Sequence, residues 1–102
     1  MYCIAGKNQC SINALQYLLS RKDIRDEDIF VCLNQDDDGN DGWQPSLKKF
    51  SMDRNIRIYN LEDLYNIENL YFFSLEFDRI INTKKFKTDK LFNFHFSLLP
   101  KY

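Results

Sequence analysis

Apolar residues in this chain alternate between short continuous runs and stretches of helical spacing. Tyr2-Cys3-Ile4-Ala5 is a run that stops at Gly6, after which Ile12, Leu15, Leu18 and Leu19 recur as on one face of a helix. Strand, turn and helix are the reading. Asp28 to Leu33 carries Ile29, Phe30, Val31, Cys32 and Leu33 without a break, the pattern of a strand buried on both faces. A polar loop from Asn34 to Pro45 follows, and Pro45-Ser46 opens a helix through Leu47, Phe50 and Met52. Ile56-Arg57-Ile58-Tyr59 is a brief alternating strand, and Leu61, Leu64 and Tyr65 fit a short helix started near Asn60. The pattern further predicts a central strand within Asn69 to Ser74, with Leu70 to Phe73 as its apolar run, a helical turn at Thr83 to Phe86 and a last strand at Leu91 to Phe96. Strands and helices alternating at this spacing predict one open, mostly parallel α/β sheet with right-handed crossovers.

Composition narrows the class. The 102 residues suffice for one small domain, with no internal repeat and no low-complexity linker, and 44% hydrophobic residues supply a core. A formal net charge of −1 gives no electrostatic footprint for a nucleic-acid partner. Cys3, Cys10 and Cys32 are odd in number and lack metal-ligand spacing, so neither a disulfide framework nor a structural metal is expected. With no signal-like segment and no long apolar run, the expectation is a cytoplasmic protein with reduced thiols and no membrane association.

The segment that carries chemistry is Asn93-Phe94-His95-Phe96-Ser97-Leu98-Leu99-Pro100. In a strand, positions 93, 95 and 97 share one face and the two phenylalanines the other. Parallel α/β sheets bind ligands at the carboxyl ends of their strands, where His95, the one histidine, would lie. Taken alone, such a histidine is as well explained by packing. The whole run resembles the folate-dependent formyltransferase family, whose pattern Asn-x-His-x-Ser-Leu-Leu-Pro it matches at every specified position. That resemblance implies a Rossmann-like sheet with helices on both faces, and transfer of a formyl group from N10-formyltetrahydrofolate to a primary amine. It also implies catalytic roles for Asn93 and His95, as two members of an Asn/His/Asp set.

The chemistry suits these residue types. Attack of an amine on the formyl carbon generates an oxyanion, to which a neutral amide such as Asn93 can donate hydrogen bonds in a dry site. The attacking nitrogen must shed a proton, and an imidazole with an ordinary pKa of about 6.5 can accept it. The family's aspartate, which would fix the imidazole, lies downstream of the position corresponding to Tyr102. Residues 1–102 are therefore expected to be the N-terminal portion of a formyltransferase catalytic domain, inactive by themselves.

Two further segments resemble the same family. Phe77, Arg79, Ile80 and Ile81, just before the signature strand, resemble the lining of the pterin pocket and are the candidate cofactor-binding residues; the alternative is ordinary core, with Arg79 a surface charge. The loop Asp36-Asp37-Asp38-Gly39-Asn40-Asp41-Gly42-Trp43-Gln44-Pro45-Ser46 resembles the nucleotide-sugar branch, which implies a nucleotide-linked deoxyamino sugar as the acceptor. The alternative there is a solvated acidic loop with Trp43 pinned onto the core. An EF-hand is excluded, since Asp41 and Leu47 stand where glycine and glutamate are required. Lys7, beside a lone Gly6, carries no assigned role. Other readings remain open: another amine as acceptor, tRNA-bound or a purine precursor, or a truncated non-catalytic α/β module. A homodimer is also left open.

Overall fold

The protein is described by a computed structural model covering residues 1–77 and 81–94. Five strands form one sheet: β1 (Tyr2–Gly6), β2 (Ile29–Leu33), β3 (Arg57–Ile58), β4 (Tyr71–Leu75) and β5 (Leu91–Phe94), in the spatial order β3-β2-β1-β4-β5. Every pairing is parallel. The sheet is thus the open α/β arrangement that the alternating pattern predicts. Helix α1 (Asn8–Ser20) crosses from β1 to β2, α2 (Leu47–Asp53) from β2 to β3, and α3 (Leu61–Leu64) lies between β3 and β4.

Side-chain alternation splits the core in two. Cys3, Ala5, Phe30, Cys32 and Phe72 point to one face, where Leu61, Leu64, Leu70 and Phe86 cover them. Ile4, Ile29, Val31 and Leu75 point to the other, beneath Ile12, Leu15 and Leu18 of α1 and Leu47 of α2. Each of these helix residues contributes about 1.5–3 kcal/mol by leaving water. Both faces of the central strands are dry, which explains why β1 and β2 read as unbroken apolar runs.

Boundaries shifted where burial and pairing diverge. Leu70 is fully buried yet precedes the ladder, because the register is set against β1, with Tyr2 opposite Tyr71 and Gly6 opposite Leu75. The strand consequently runs on through Leu75, beyond the apolar run that ends at Phe73. β3 keeps only Arg57 and Ile58, both exposed, as expected of a short edge strand. Met52 of α2 is exposed, and Ser51 takes the buried position instead. Ser46 caps α2 by accepting a hydrogen bond from the Lys49 N–H at 3.0 Å. Asn60 and Asp63 form a reciprocal capping box at α3. On β5, Phe92 and Phe94 remain 42% and 43% exposed on the α1 side of the sheet. The predicted continuation of that strand through residue 96 lies outside the described residues.

No helix among the described residues is long and apolar enough to cross a membrane.

Candidate functional site

The chain runs outward from β1 to β2 and β3, then returns to place β4 on the other side of β1. The connections that leave β1 and β4 therefore part at a switch point, the place where open α/β sheets hold ligands. Gly6 ends β1 there. Its φ is +148°, and a Cβ at this position would stand 2.2 Å from the Leu75 carbonyl oxygen and 2.6 Å from Ser11 Oγ. Only glycine lets β1 turn into α1 so close to β4.

A cleft of about 640 Å³ opens at this point, lined by Lys7, Asn8, Gln9, Cys10, Asn13, Gln44 and Glu76. Its size is that of a small-molecule site. Asn8 and Glu76, on its two sides, have φ of +72° and +55°, a conformation costly for residues other than glycine and concentrated at functional sites. Asn34, buried at the end of β2, reaches across β1 and donates through Nδ2 to the Glu76 carbonyl at 3.4 Å. The side chain of Lys7, at the start of α1, gives that helix no cap; it pairs instead with Asp36 at 2.5 Å. This hydrogen bond holds the Asp36 carboxyl below the ordinary carboxylate value, against a smaller opposing effect of desolvation. Burial, and secondarily Glu76, push the Cys10 thiol up, so the cleft's one cysteine is a poor nucleophile.

Two strands along, β5 carries Asn93. Its register partner on β4 is Ser74, and the Ser74 hydroxyl donates to Asn93 Oδ1 at 2.7 Å. That bond occupies the carbonyl end of the amide. Ser74 is buried, so the orientation is set from within the fold. The sequence pattern did not single out Ser74; the available signal was a hydroxyl inside the apolar run Phe72-Phe73-Ser74-Leu75. Phe77 and Ile81 pack, partly buried, against the core cluster that includes Phe72, to which Phe77 is edge-on at 6.4 Å. Leu91, two positions before Asn93, packs against the same cluster. His95, Arg79 and Ile80 lie outside the described residues. The expected convergence of Asn93 and His95 with the chain around Phe77 to Ile80 lies partly there too.

The acidic loop is held together by its own carboxylates. Asp37 accepts from the Ser46 hydroxyl at 2.5 Å, the Gly39 N–H at 3.2 Å and the Lys48 N–H at 3.0 Å. Asp41 accepts from the Ser46 N–H at 2.8 Å and from Lys49 Nζ at 3.3 Å. Asp38 turns back onto the Asn40 N–H at 3.0 Å. These carboxylates fix the loop and the start of α2. Trp43 is not pinned onto the core: it stands 92% exposed, because the loop is closed by polar bonds that need no apolar anchor. No group of three or more His, Cys, Asp or Glu side chains among the described residues could hold a metal ion.

Strained backbone and a cleft of small-molecule size at the switch point define an open α/β domain with its candidate site at the strand ends. No family model and no curated protein sequence matches the chain. Solved structures do. WlaRD, a sugar 3N-formyltransferase determined in the presence of dTDP and 5-N-formyl-THF, is 52% identical, with a TM-score of 0.89 over 99% of this chain and 36% of its own. The N-formyltransferase from Helicobacter canadensis, in complex with folinic acid and dTDP-3-aminofucose, is 46% identical, with a TM-score of 0.89 over 99% of this chain and 37% of its own. The chain belongs to the folate-dependent formyltransferase family, in its sugar N-formyltransferase branch. It spans little more than a third of the length of these two neighbours.

Proposed function

We propose that the protein transfers a formyl group from N10-formyltetrahydrofolate to the primary amine of a nucleotide-linked deoxyamino sugar, and that residues 1–102 supply the N-terminal portion of its catalytic domain. The single observation that carries this reading is the near-complete match of the chain, at 52% and 46% identity, to two sugar N-formyltransferases. Both of those enzymes were determined with a folate, and one with an amino-sugar nucleotide.

In this mechanism the Asn93 NH₂ donates to the oxyanion formed when the amine attacks the formyl carbon, and the hydrogen bond from Ser74 holds the amide ready before the substrate arrives. His95 takes the proton released as the C–N bond forms, and collapse of the tetrahedral centre breaks the bond between the formyl carbon and N10, which takes up a proton and leaves as tetrahydrofolate. Phe77, Arg79, Ile80 and Ile81 are assigned to the wall of the pterin site. Folate supplies the activated formyl carbon. The test is direct: incubate the full-length protein with N10-formyltetrahydrofolate and a dTDP-linked amino sugar, and follow formylation of the sugar by mass spectrometry. Transfer to the sugar nucleotide supports the reading; transfer only to another amine, or none, refutes it.

A further inference from the structure

β4 gives way to residues 77–81 through Glu76, whose φ of +55° is left-handed. For a residue other than glycine, such a conformation persists only where neighbouring groups hold it. Two hydrogen bonds hold this one. The Glu76 N–H donates to the Phe94 carbonyl at 3.1 Å, at the end of β5, and the Glu76 carbonyl accepts from Asn34 Nδ2 at 3.4 Å, from the end of β2. The first bond is backbone to backbone and continues the ladder between β4 and β5. The second needs a side chain, because β1 lies between β2 and β4. β1 ends there on Gly6, which puts no side chain of its own in the way. Asn34 is only 4% exposed and its backbone is fixed: its N–H donates to the Gly6 carbonyl at 3.4 Å, and its carbonyl accepts from the Asp37 N–H at 3.2 Å. The amide reaches Glu76 from a fixed root.

We propose that Asn34 is a positioning residue for the formyl donor: by holding the Glu76 carbonyl it sets the direction in which residues 77–81 leave β4. The proposal rests on the function proposed above, which assigns Phe77, Arg79, Ile80 and Ile81 to the pterin wall, and it adds a residue that acts on that wall from two strands away. The carbonyl that Asn34 holds belongs to the peptide that carries Phe77. Releasing it lets that peptide rotate and moves the first residue of the wall away from Phe72, to which it stands edge-on at 6.4 Å. The effect falls on one side of the site. The bonds that root the acidic loop at Asn34 are made by its backbone and survive replacement of the side chain. The bond from the Glu76 N–H to Phe94 survives as well, so Asn93, one residue before Phe94, keeps its place on β5.

The experiment compares the full-length protein with Asn34→Asp, which keeps the shape and loses the donor, and with Asn34→Ala. Binding of 5-formyltetrahydrofolate and of dTDP is measured by calorimetry, turnover with N10-formyltetrahydrofolate and a dTDP-linked amino sugar, and the fold by circular dichroism. Loss of one hydrogen bond predicts that both variants weaken 5-formyltetrahydrofolate binding and raise the KM of the formyl donor by about tenfold. The dTDP affinity and the KM of the amino-sugar nucleotide stay unchanged, and the rate at saturation changes little. Unchanged folate affinity in Asn34→Asp with a wild-type spectrum overturns the proposal. An equal loss for folate and dTDP overturns it too, since a residue that merely supports the fold would weaken both sides alike. If Asn34→Ala does not fold, Asn34→Asp decides. If the wild-type protein binds folate but formylates no amino sugar, the function proposed above fails while the folate arm still decides the role of Asn34; if it binds no folate, both fall.

Discussion

The Ser74 hydroxyl donates to Asn93 Oδ1 at 2.7 Å across the β4–β5 pair, from a position that is itself buried. Parallel register places the two residues opposite one another, so the orientation of the amide is a property of the sheet. Ser74→Ala is expected to leave the fold intact and lower the turnover of the full-length enzyme on the order of 10- to 100-fold by releasing the amide, with little change in KM. Ser74→Thr, which keeps a hydroxyl, should recover part of the rate. Steady-state kinetics on both variants, with circular dichroism for the fold, checks this; an unchanged rate in Ser74→Ala would show that Asn93 is oriented without it.

Gly6→Ala is expected to be strongly destabilising. The added Cβ would meet the Leu75 carbonyl at 2.2 Å, and the residue would have to keep a φ of +148°. Backbone strain and overpacking each cost about 1–3 kcal/mol, so a thermal midpoint several degrees lower is the expected outcome. Retention of the wild-type midpoint would mean that β1 and β4 can part at no cost.

The Lys7–Asp36 pair predicts a local pH dependence. Asp36's carboxyl is depressed chiefly by the hydrogen bond from Lys7. A depressed carboxyl contributes stability above its unfolded value of about 3.9, and that contribution is lost as pH falls through the lower folded value. Both side chains are solvent-accessible, so the energetic effect is small and the useful readout is the titration itself. In an NMR titration Asp36 should titrate below the ordinary aspartate range, and Lys7→Met should return it toward that range; identical titration in the two proteins would contradict the pairing.

The sheet was legible because burial on both faces forces continuous apolar runs, and β1 and β2 emerged nearly to the residue. β4 was displaced because Leu70 is buried ahead of the ladder, while Ser74, a polar residue inside it, ended the apparent run. Only the register with β1 reveals its true span. The loop between β2 and α2 was legible as a loop, but its internal bonds depend on which carboxylates fold back, and nothing in the spacing indicated that Trp43 would be left in water. Asn93 could be placed on a strand face from alternation alone. Its partner Ser74 is 19 positions earlier in the chain and meets it only through strand pairing, so periodicity could not show it. The chemistry assigned to the strand end came from the signature run, and the likeness to two solved sugar N-formyltransferases supports the same family by an independent route.

The central claim is that the strand-end residues act on the reacting formyl group. The most direct measurement is the turnover of the full-length protein carrying Asn93→Ala or His95→Ala, with N10-formyltetrahydrofolate and a dTDP-linked amino sugar at saturation, and circular dichroism as the fold control. Loss of an oxyanion donor, or of a proton acceptor, predicts a fall on the order of 100-fold in each variant with an unchanged spectrum. Near-normal turnover in both would contradict the account and make the signature run a packing element of the sheet.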